Sequence, residues 1–346
     1  MERDPRSGLV NLPRGSRRIL PRGAIQLCDI VLEIGPGMGA LTEKLLEKVS
    51  RVIAVEKDRE LVEYLKNKFT KEIEIKKLIL IEGDILKFSM TNDQFSETFL
   101  MRSKSSEGGR SSSGSEVRPQ GDDFIKYKLI ANIPYNITGE IFRKFLQEEK
   151  IQPERMVLLI QKEVAERIVG NRGARNQVRG PVAFSHSGAR TSKSIIKESI
   201  LSISIKVYGT PKYINTVKRG SFAPAPNVDS AILLIENISR EKFKVGRGRN
   251  SGRPPGLKMS NPGGQGEFRP QGALNDKVSE EIINEEKFFQ ILKAGFAHKR
   301  KILSSNLKPI WSEKTEKQLD LCNIPHKSRA ENLSVKDWVC LATPKF

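Results

Sequence analysis

The chain has 346 residues, with 60 Lys and Arg against 41 Asp and Glu, a formal net charge of +19. That length suits about two domains, and the positive excess makes an anionic partner the first expectation, nucleic acid ahead of a membrane surface. No apolar run approaches the ~20 residues of a spanning helix, the basic first residues lack the apolar stretch of a secretory signal, and three scattered cysteines with three distant histidines argue against a disulfide framework or a zinc site.

Residues 1–28 are rich in Arg, Pro and Gly and show no hydrophobic period, so they read as an irregular stretch. IVLEIG at 30–35 is a short apolar run that stops at glycine, which predicts a buried parallel strand. Helical spacing follows at Leu41, Leu45, Leu46 and Val49. RVIAVE at 51–56 predicts a second strand, with an amphipathic helix through Leu61, Leu65 and Phe69 after it. LILIE at 78–82, YKLIA at 127–131 and MVLLI at 156–160 continue the alternation, with a helix near 138–148. Strand alternating with helix predicts an α/β doubly wound sheet with right-handed crossovers. The last seventy or so residues have helical period, with Phe288, Phe289, Leu292 and Phe296 on one face and Ile302, Leu303 and Leu307 beyond, and read as a separate small helical domain.

Charge is uneven along this frame. Residues 1–28, 101–123, 170–194 and 240–275 carry +4, 0, +5 and +6, fifteen of the nineteen excess charges, and 18 of the arginines. Two of them share the pattern E-x-R-P-Q-G, at 116–121 and 267–272. They read as solvated inserts at loop tips in a Lys- and Ile-rich protein, ahead of Arg-rich arms that fold on RNA. The first ligand-binding stretch, 29–100, carries 11 basic against 14 acidic residues, so gross charge says little about it.

The chemistry sits at the ends of the strands. Strand one runs into Glu33-Ile-Gly-Pro-Gly-Met-Gly39, and glycines at 35, 37 and 39 let a backbone turn sharply and approach a ligand at the head of a helix. Strand two ends in Glu56, where ribose hydroxyls lie in nucleotide-binding sheets. With Ala40 the loop also satisfies G-x-G-x-x-G/A, so a dinucleotide stays open on these residues alone. Strand three runs into Gly83-Asp84-Ile85, which offers a carboxylate to an adenine exocyclic amine. Strand four runs into Asn132-Ile-Pro-Tyr135, which offers a side-chain amide oxygen and a backbone carbonyl to one amine, and a ring for base stacking. Two acceptors gripping the hydrogens of an adenine N6 favour a pyramidal, nucleophilic nitrogen that attacks a methyl sulfonium with no metal and no strong base.

On LEIGPGMGALTEKLL, VIAVEKD, GDILKF, KLIANIPYNIT, QKEVAERIV, SFAPAPNVDSAIL, FAHKRKILSSNL and RAENLSVKDW, the sequence resembles the ribosomal RNA adenine N6,N6-dimethyltransferase family, KsgA-type, of the small subunit. The resemblance implies a Rossmann-like class I methyltransferase sheet with a small C-terminal all-α domain. It implies S-adenosylmethionine as donor and dimethylation of two adjacent adenosines in the 3′-terminal hairpin of 16S rRNA, on an immature 30S subunit. Carried over by position, Glu33, Gly35 and Gly37 surround the methionine part of the donor, Glu56 holds the ribose, Asp84 with Ile85 holds the donor adenine, and Asn132 borders the donor as well. Asn132, Pro134 and Tyr135 hold the target adenine, with Phe222 a second stacking face. Lys299, Arg300 and Lys301 meet rRNA phosphates from the start of a C-terminal helix.

The implied organisation is a methyltransferase domain over 29–239, with inserts at about 101–123 and 170–194, a Gly/Pro/Arg-rich linker insert over 240–275 and an rRNA-binding helical domain over 276–346. A cytoplasmic monomer without metal or membrane partner is expected. Residues 200–207 alternate and read as a strand by period, whereas the resemblance places a helix there and the next strand near Tyr213–Val217; the helix is preferred. Nothing in residues 1–28 matches the Gln/His-x-Phe-Leu motif with which the family covers its donor. Two other readings stand beside the enzyme: a non-catalytic ribosome-assembly factor, and a large-subunit rRNA adenine methyltransferase, against which the helical tail and the V-D-S segment speak.

Overall fold

The computed structural model describes residues 26–27, 29–89, 126–170, 197–222, 225–245 and 281–343. The strands fall where the apolar runs predict them: β1 (Ile30–Ile34), β2 (Arg51–Glu56), β3 (Leu78–Glu82), β4 (Lys128–Asn132) and β5 (Arg155–Gln161). Two more follow, β6 (Thr210–Val217) and β7 (Ser230–Glu236), and the seven form one sheet in the order β3-β2-β1-β4-β5-β7-β6. All neighbours pair parallel except β7, which runs antiparallel to both β5 and β6. Every residue of β1 is buried, because a central parallel strand is covered on both faces and so needs an unbroken apolar run.

Helices close both faces: α1 (Ala40–Leu46), α2 (Arg59–Lys68), α3 (Thr70–Glu74), α4 (Thr138–Arg143), α5 (Lys162–Val169) and α6 (Ile200–Lys206). The helix expected near 138–148 is α4 continued by a wider π turn over Lys144–Glu148. At 200–207 the helix is correct and the strand period misleading. Ser199 caps α6 and shares a reciprocal capping box with Ser202, which fixes a helix start that side-chain alternation cannot register.

The tail forms α7 (Glu285–Gly295), α8 (Leu303–Trp311), α9 (Lys314–Leu321) and α10 (Val335–Ala342). One expectation needs correction here. Residues 240–245, assigned to the linker insert, are folded: Lys244–Val245 pair antiparallel with Glu281–Ile282, and Phe243 is 2% exposed. The tail packs closely on the sheet. Phe243 meets Phe288 edge-on at 5.4 Å and Tyr208 at 5.4 Å, and one continuous apolar core runs from Leu32, Leu129 and Leu158 of the sheet to Phe288, Leu303 and Trp338. Arg240 completes the joint, pairing with Glu285 at 3.1 Å and donating to the carbonyls of Gln147 and Glu149.

The cysteines also depart from expectation. Cys322 and Cys340 are bonded, because the end of α9 and the middle of α10 bring their Cα atoms to 5.9 Å. Among the described residues no helix is long and apolar enough to cross a membrane, and no three His, Cys, Asp or Glu side chains cluster as metal ligands. The two copies of E-x-R-P-Q-G, residues 1–25 and most of the inserts lie outside the described residues.

Candidate active site

The sheet has its switch point between β1 and β4: from β1 the chain builds outward through β2 to β3, and from β4 through β5 in the other direction. Open α/β sheets bind ligands in the crevice beyond the strand ends at such a point. A cavity of about 380 Å³ opens there, lined among others by Glu33, Gly35, Gly37, Glu56, Asn132, Pro134, Tyr135 and Phe222. Residues separated by up to two hundred positions thus meet in one place, eight of them expected from the sequence.

The glycine loop makes the near wall. Gly35, Gly37 and Gly39 all have positive φ, at 63°, 58° and 76°. A Cβ added to Gly35 or Gly37 would meet nothing within 4 Å, so these two leave open space on the ligand side. A Cβ on Gly39 would strike the Phe69 ring at 2.5 Å, so this glycine serves packing of α1 against α2. Glu56 closes the loop from below: its carboxylate accepts from the N–H groups of Gly37 (3.1 Å), Lys57 (2.8 Å) and Asp58 (3.1 Å).

Glu33 is the unusual group. Its side chain is 1% exposed, and neither carboxylate oxygen makes a hydrogen bond of good geometry among the described residues, Thr42 being a weak neighbour at most. Burial pushes its pKa from 4.5 to about 8, with the Thr42 hydroxyl opposing the rise and the Glu56 charge adding to it. A buried carboxyl without a partner is costly unless a ligand cation or donor completes it.

The far wall is the Asn132–Tyr135 turn. Asn132 ends β4, and among the described residues its amide makes no hydrogen bond, which leaves it free for a ligand. Tyr135 opens a 3-10 turn capped by Pro134, and its hydroxyl lies 2.8 Å from Ser230 Oγ at the start of β7. Phe222 is 7% exposed and packs with Leu159 and Ile232 while bordering the cavity. The segment that carries it is clamped by Asp229, which accepts from Lys218 Nζ at 2.9 Å and the Arg219 N–H at 3.1 Å; the Lys218 ammonium holds this carboxyl below its usual range. Asp229 and Ser230 were visible in the sequence only as part of the V-D-S signature, with no role attached.

Asp84 and Ile85 do not line the cavity. Asp84 is engaged by the Leu86 N–H at 3.0 Å and Lys57 Nζ at 3.0 Å, both of which hold its carboxyl low, and Ile85 is buried in the core. Lys299, Arg300 and Lys301 are exposed and sit in the turn before α8 rather than on the helix. Asn306 pins that turn from within, donating to the carbonyls of Gly295 at 2.6 Å and His298 at 3.2 Å.

The chain is similar to several known proteins. A family model described as ribosomal RNA adenine dimethylase matches residues 16–186. The ribosomal RNA small subunit methyltransferase A of Dehalococcoides mccartyi (strain CBDB1) is 32% identical over 329 residues, spanning 94% of this chain and 82% of its own. Its counterpart in Synechococcus elongatus (strain ATCC 33912 / PCC 7942 / FACHB-805) is 30% identical over 331 residues, spanning 94% and 88%. Among solved structures, a dimethyladenosine transferase from Plasmodium falciparum superposes with a TM-score of 0.57 at 22% identity, over 96% of this chain and 95% of that one. The 23S rRNA methyltransferase ErmE superposes at 0.54 with 17% identity, over 96% and 97%; both likenesses speak for the fold.

Proposed function

This chain belongs to the ribosomal RNA adenine dimethylase family, and on that premise we propose that it dimethylates N6 of two adjacent adenosines in the 3′-terminal hairpin of small-subunit rRNA, with S-adenosylmethionine as donor. The family fixes the coarser statement: the chain is an rRNA adenine dimethyltransferase. The observation that supports adenine N6 as the acceptor is the cavity that sets the glycine loop and Glu33 opposite Asn132, Tyr135 and Phe222; the choice of adenosines is carried by the resemblance.

The donor fits the near wall. S-adenosylmethionine, when bound, supplies a methyl carbon on a sulfonium leaving group. Its cationic end suits the unpartnered Glu33 carboxyl, and its backbone-hugging shape suits the open faces of Gly35 and Gly37. Glu56, already fixed by three N–H donors, retains lone pairs for ribose hydroxyls.

The target base fits the far wall. The Asn132 amide oxygen and a backbone carbonyl of the Asn132–Pro134 segment accept the two N6 hydrogens, which draws the nitrogen lone pair out of the ring. Tyr135 and Phe222 hold the base by its faces. With the donor bound, the nitrogen held in this way would be placed to accept the methyl group as the sulfonium leaves with its electron pair, and its displaced proton would pass to solvent. Positioning in a shielded cavity supplies most of the acceleration. Lys299, Arg300 and Lys301 are the assigned contacts to rRNA phosphates, and their exposure leaves them free to act so.

Calorimetric titration with S-adenosylmethionine tests the donor half. Saturable binding is expected, weakened about tenfold or more in Glu33→Gln, the loss of one charge-assisted contact. No heat from the wild-type chain, together with retained binding to immature 30S subunits, would support a non-catalytic assembly factor instead.

A further inference from the structure

The Tyr135 hydroxyl is not needed for stacking, since a phenylalanine ring offers a base the same face. It is nevertheless tied to Ser230 Oγ at 2.8 Å, across 95 positions of sequence. Ser230 is an unusually firm anchor. It is 1% exposed and begins a strand held on both sides, paired with Gln161 of β5 and Val217 of β6. The residue before it holds the segment that leads to the other aromatic. Asp229 binds Lys218 and the Arg219 N–H at the foot of the segment that presents Phe222, and its own carbonyl accepts from the Lys162 N–H at 3.0 Å. One dipeptide therefore bonds the Tyr135 ring directly and the foot of the Phe222 segment.

We infer that Asp229 and Ser230 are the positioning residues of the target-base slot: Ser230 sets the rotation of the Tyr135 ring and Asp229 sets the distance of Phe222 from it. The inference rests on the methyl-transfer reading above but adds to it, because neither residue touches donor or base. A base stacked between two rings is held in line only if both rings are fixed, and a displacement of about 1 Å at a reacting centre costs roughly 100-fold. A phenol that swings freely widens the slot without emptying it.

Two readouts separate this role from a merely structural one. The first is turnover on immature 30S subunits. Ser230→Ala, Tyr135→Phe and the double variant should each lose about 10- to 100-fold in kcat, by the same factor, because all three delete one bond. The affinity for S-adenosylmethionine should stay within about twofold in all of them, since the donor wall is untouched. Asp229→Asn and Lys218→Ala should likewise match each other and their double variant. The second readout needs no turnover: AMP, titrated calorimetrically with the donor site filled by saturating S-adenosylhomocysteine, should bind more weakly in Ser230→Ala and Asp229→Asn than in wild type. Tyr135→Phe removes only a hydroxyl at the cavity edge and guards against a variant that fails to fold, with melting temperature recorded for each. Wild-type turnover and AMP affinity in Ser230→Ala, or losses that multiply in the double variant, would overturn the inference. If wild type transfers no methyl group, the reaction reading falls, and the AMP comparison still decides the positioning claim.

Discussion

Glu33 shows what burial does to a carboxyl group. Folding buries its carboxyl and raises its pKa from 4.5 to about 8. The unfolded chain releases this proton near 4.5 while the folded chain keeps it to about 8, so the folded state binds more protons in that window. Stability from this group is therefore fully present below pH 4.5, falls as pH rises through the window, and stays low above pH 8. Glu33→Gln removes the buried charge but leaves a buried amide, which costs ~1–3 kcal/mol itself. The variant should therefore gain on wild type as pH rises from 4.5 to 8, seen as a melting-temperature difference that grows through this window and levels off above it. A difference that does not change with pH would mean that Glu33 has an internal partner. Glu33, Glu56 and Asn132 were legible because strand ends at a switch point are where such residues must stand. Asp84 stands apart from the lining of that cavity, its carboxylate bonded to Lys57 and the Leu86 N–H, which no strand-end pattern records.

Elements were legible where burial is two-sided. IVLEI, RVIAVE and MVLLI leave no choice of face, so their strands fall within a residue of expectation. The π turn after α4 and the helix at Ile200–Lys206 were harder, since capping by Ser199 and closure onto Glu149 are local bonds with no periodic signature. The glycine loop carries an element-scale prediction. Gly39 combines φ 76° with a clash against Phe69 and Leu65, so Gly39→Ala should destabilise by roughly 2–4 kcal/mol in a denaturant titration. Gly35→Ala, with open space at its Cβ, should cost only the backbone strain of about 1–2 kcal/mol. It should weaken donor affinity more than Gly39→Ala does, relative to its stability loss.

The tail helices share a core with the sheet, and this the sequence concealed. A helical period in the tail reads as a domain, and an Arg/Gly-rich run before it reads as a linker; nothing in either pattern shows that Phe243 lies between Tyr208 and Phe288. Phe243→Ala should lower stability by ~3–5 kcal/mol and leave a single cooperative transition, whereas two separated transitions would mean independent domains. Removal of residues 247–279 should leave methyl transfer intact because it spares the Lys244–Val245 pairing with Glu281–Ile282, and a cut beginning at 240 should not. The net charge of +19 carries little of the functional case, which rests on the paired walls of one cavity. The most direct test is methyl transfer from S-adenosylmethionine to immature 30S subunits, with the modified bases mapped, for wild type and Asn132→Ala side by side. N6,N6-dimethyladenosine at two neighbouring positions in wild type, and a loss of 100-fold or more in Asn132→Ala at unchanged donor affinity, is the expected result; equal transfer by both chains, or methylation at a site other than adenine N6, would contradict it.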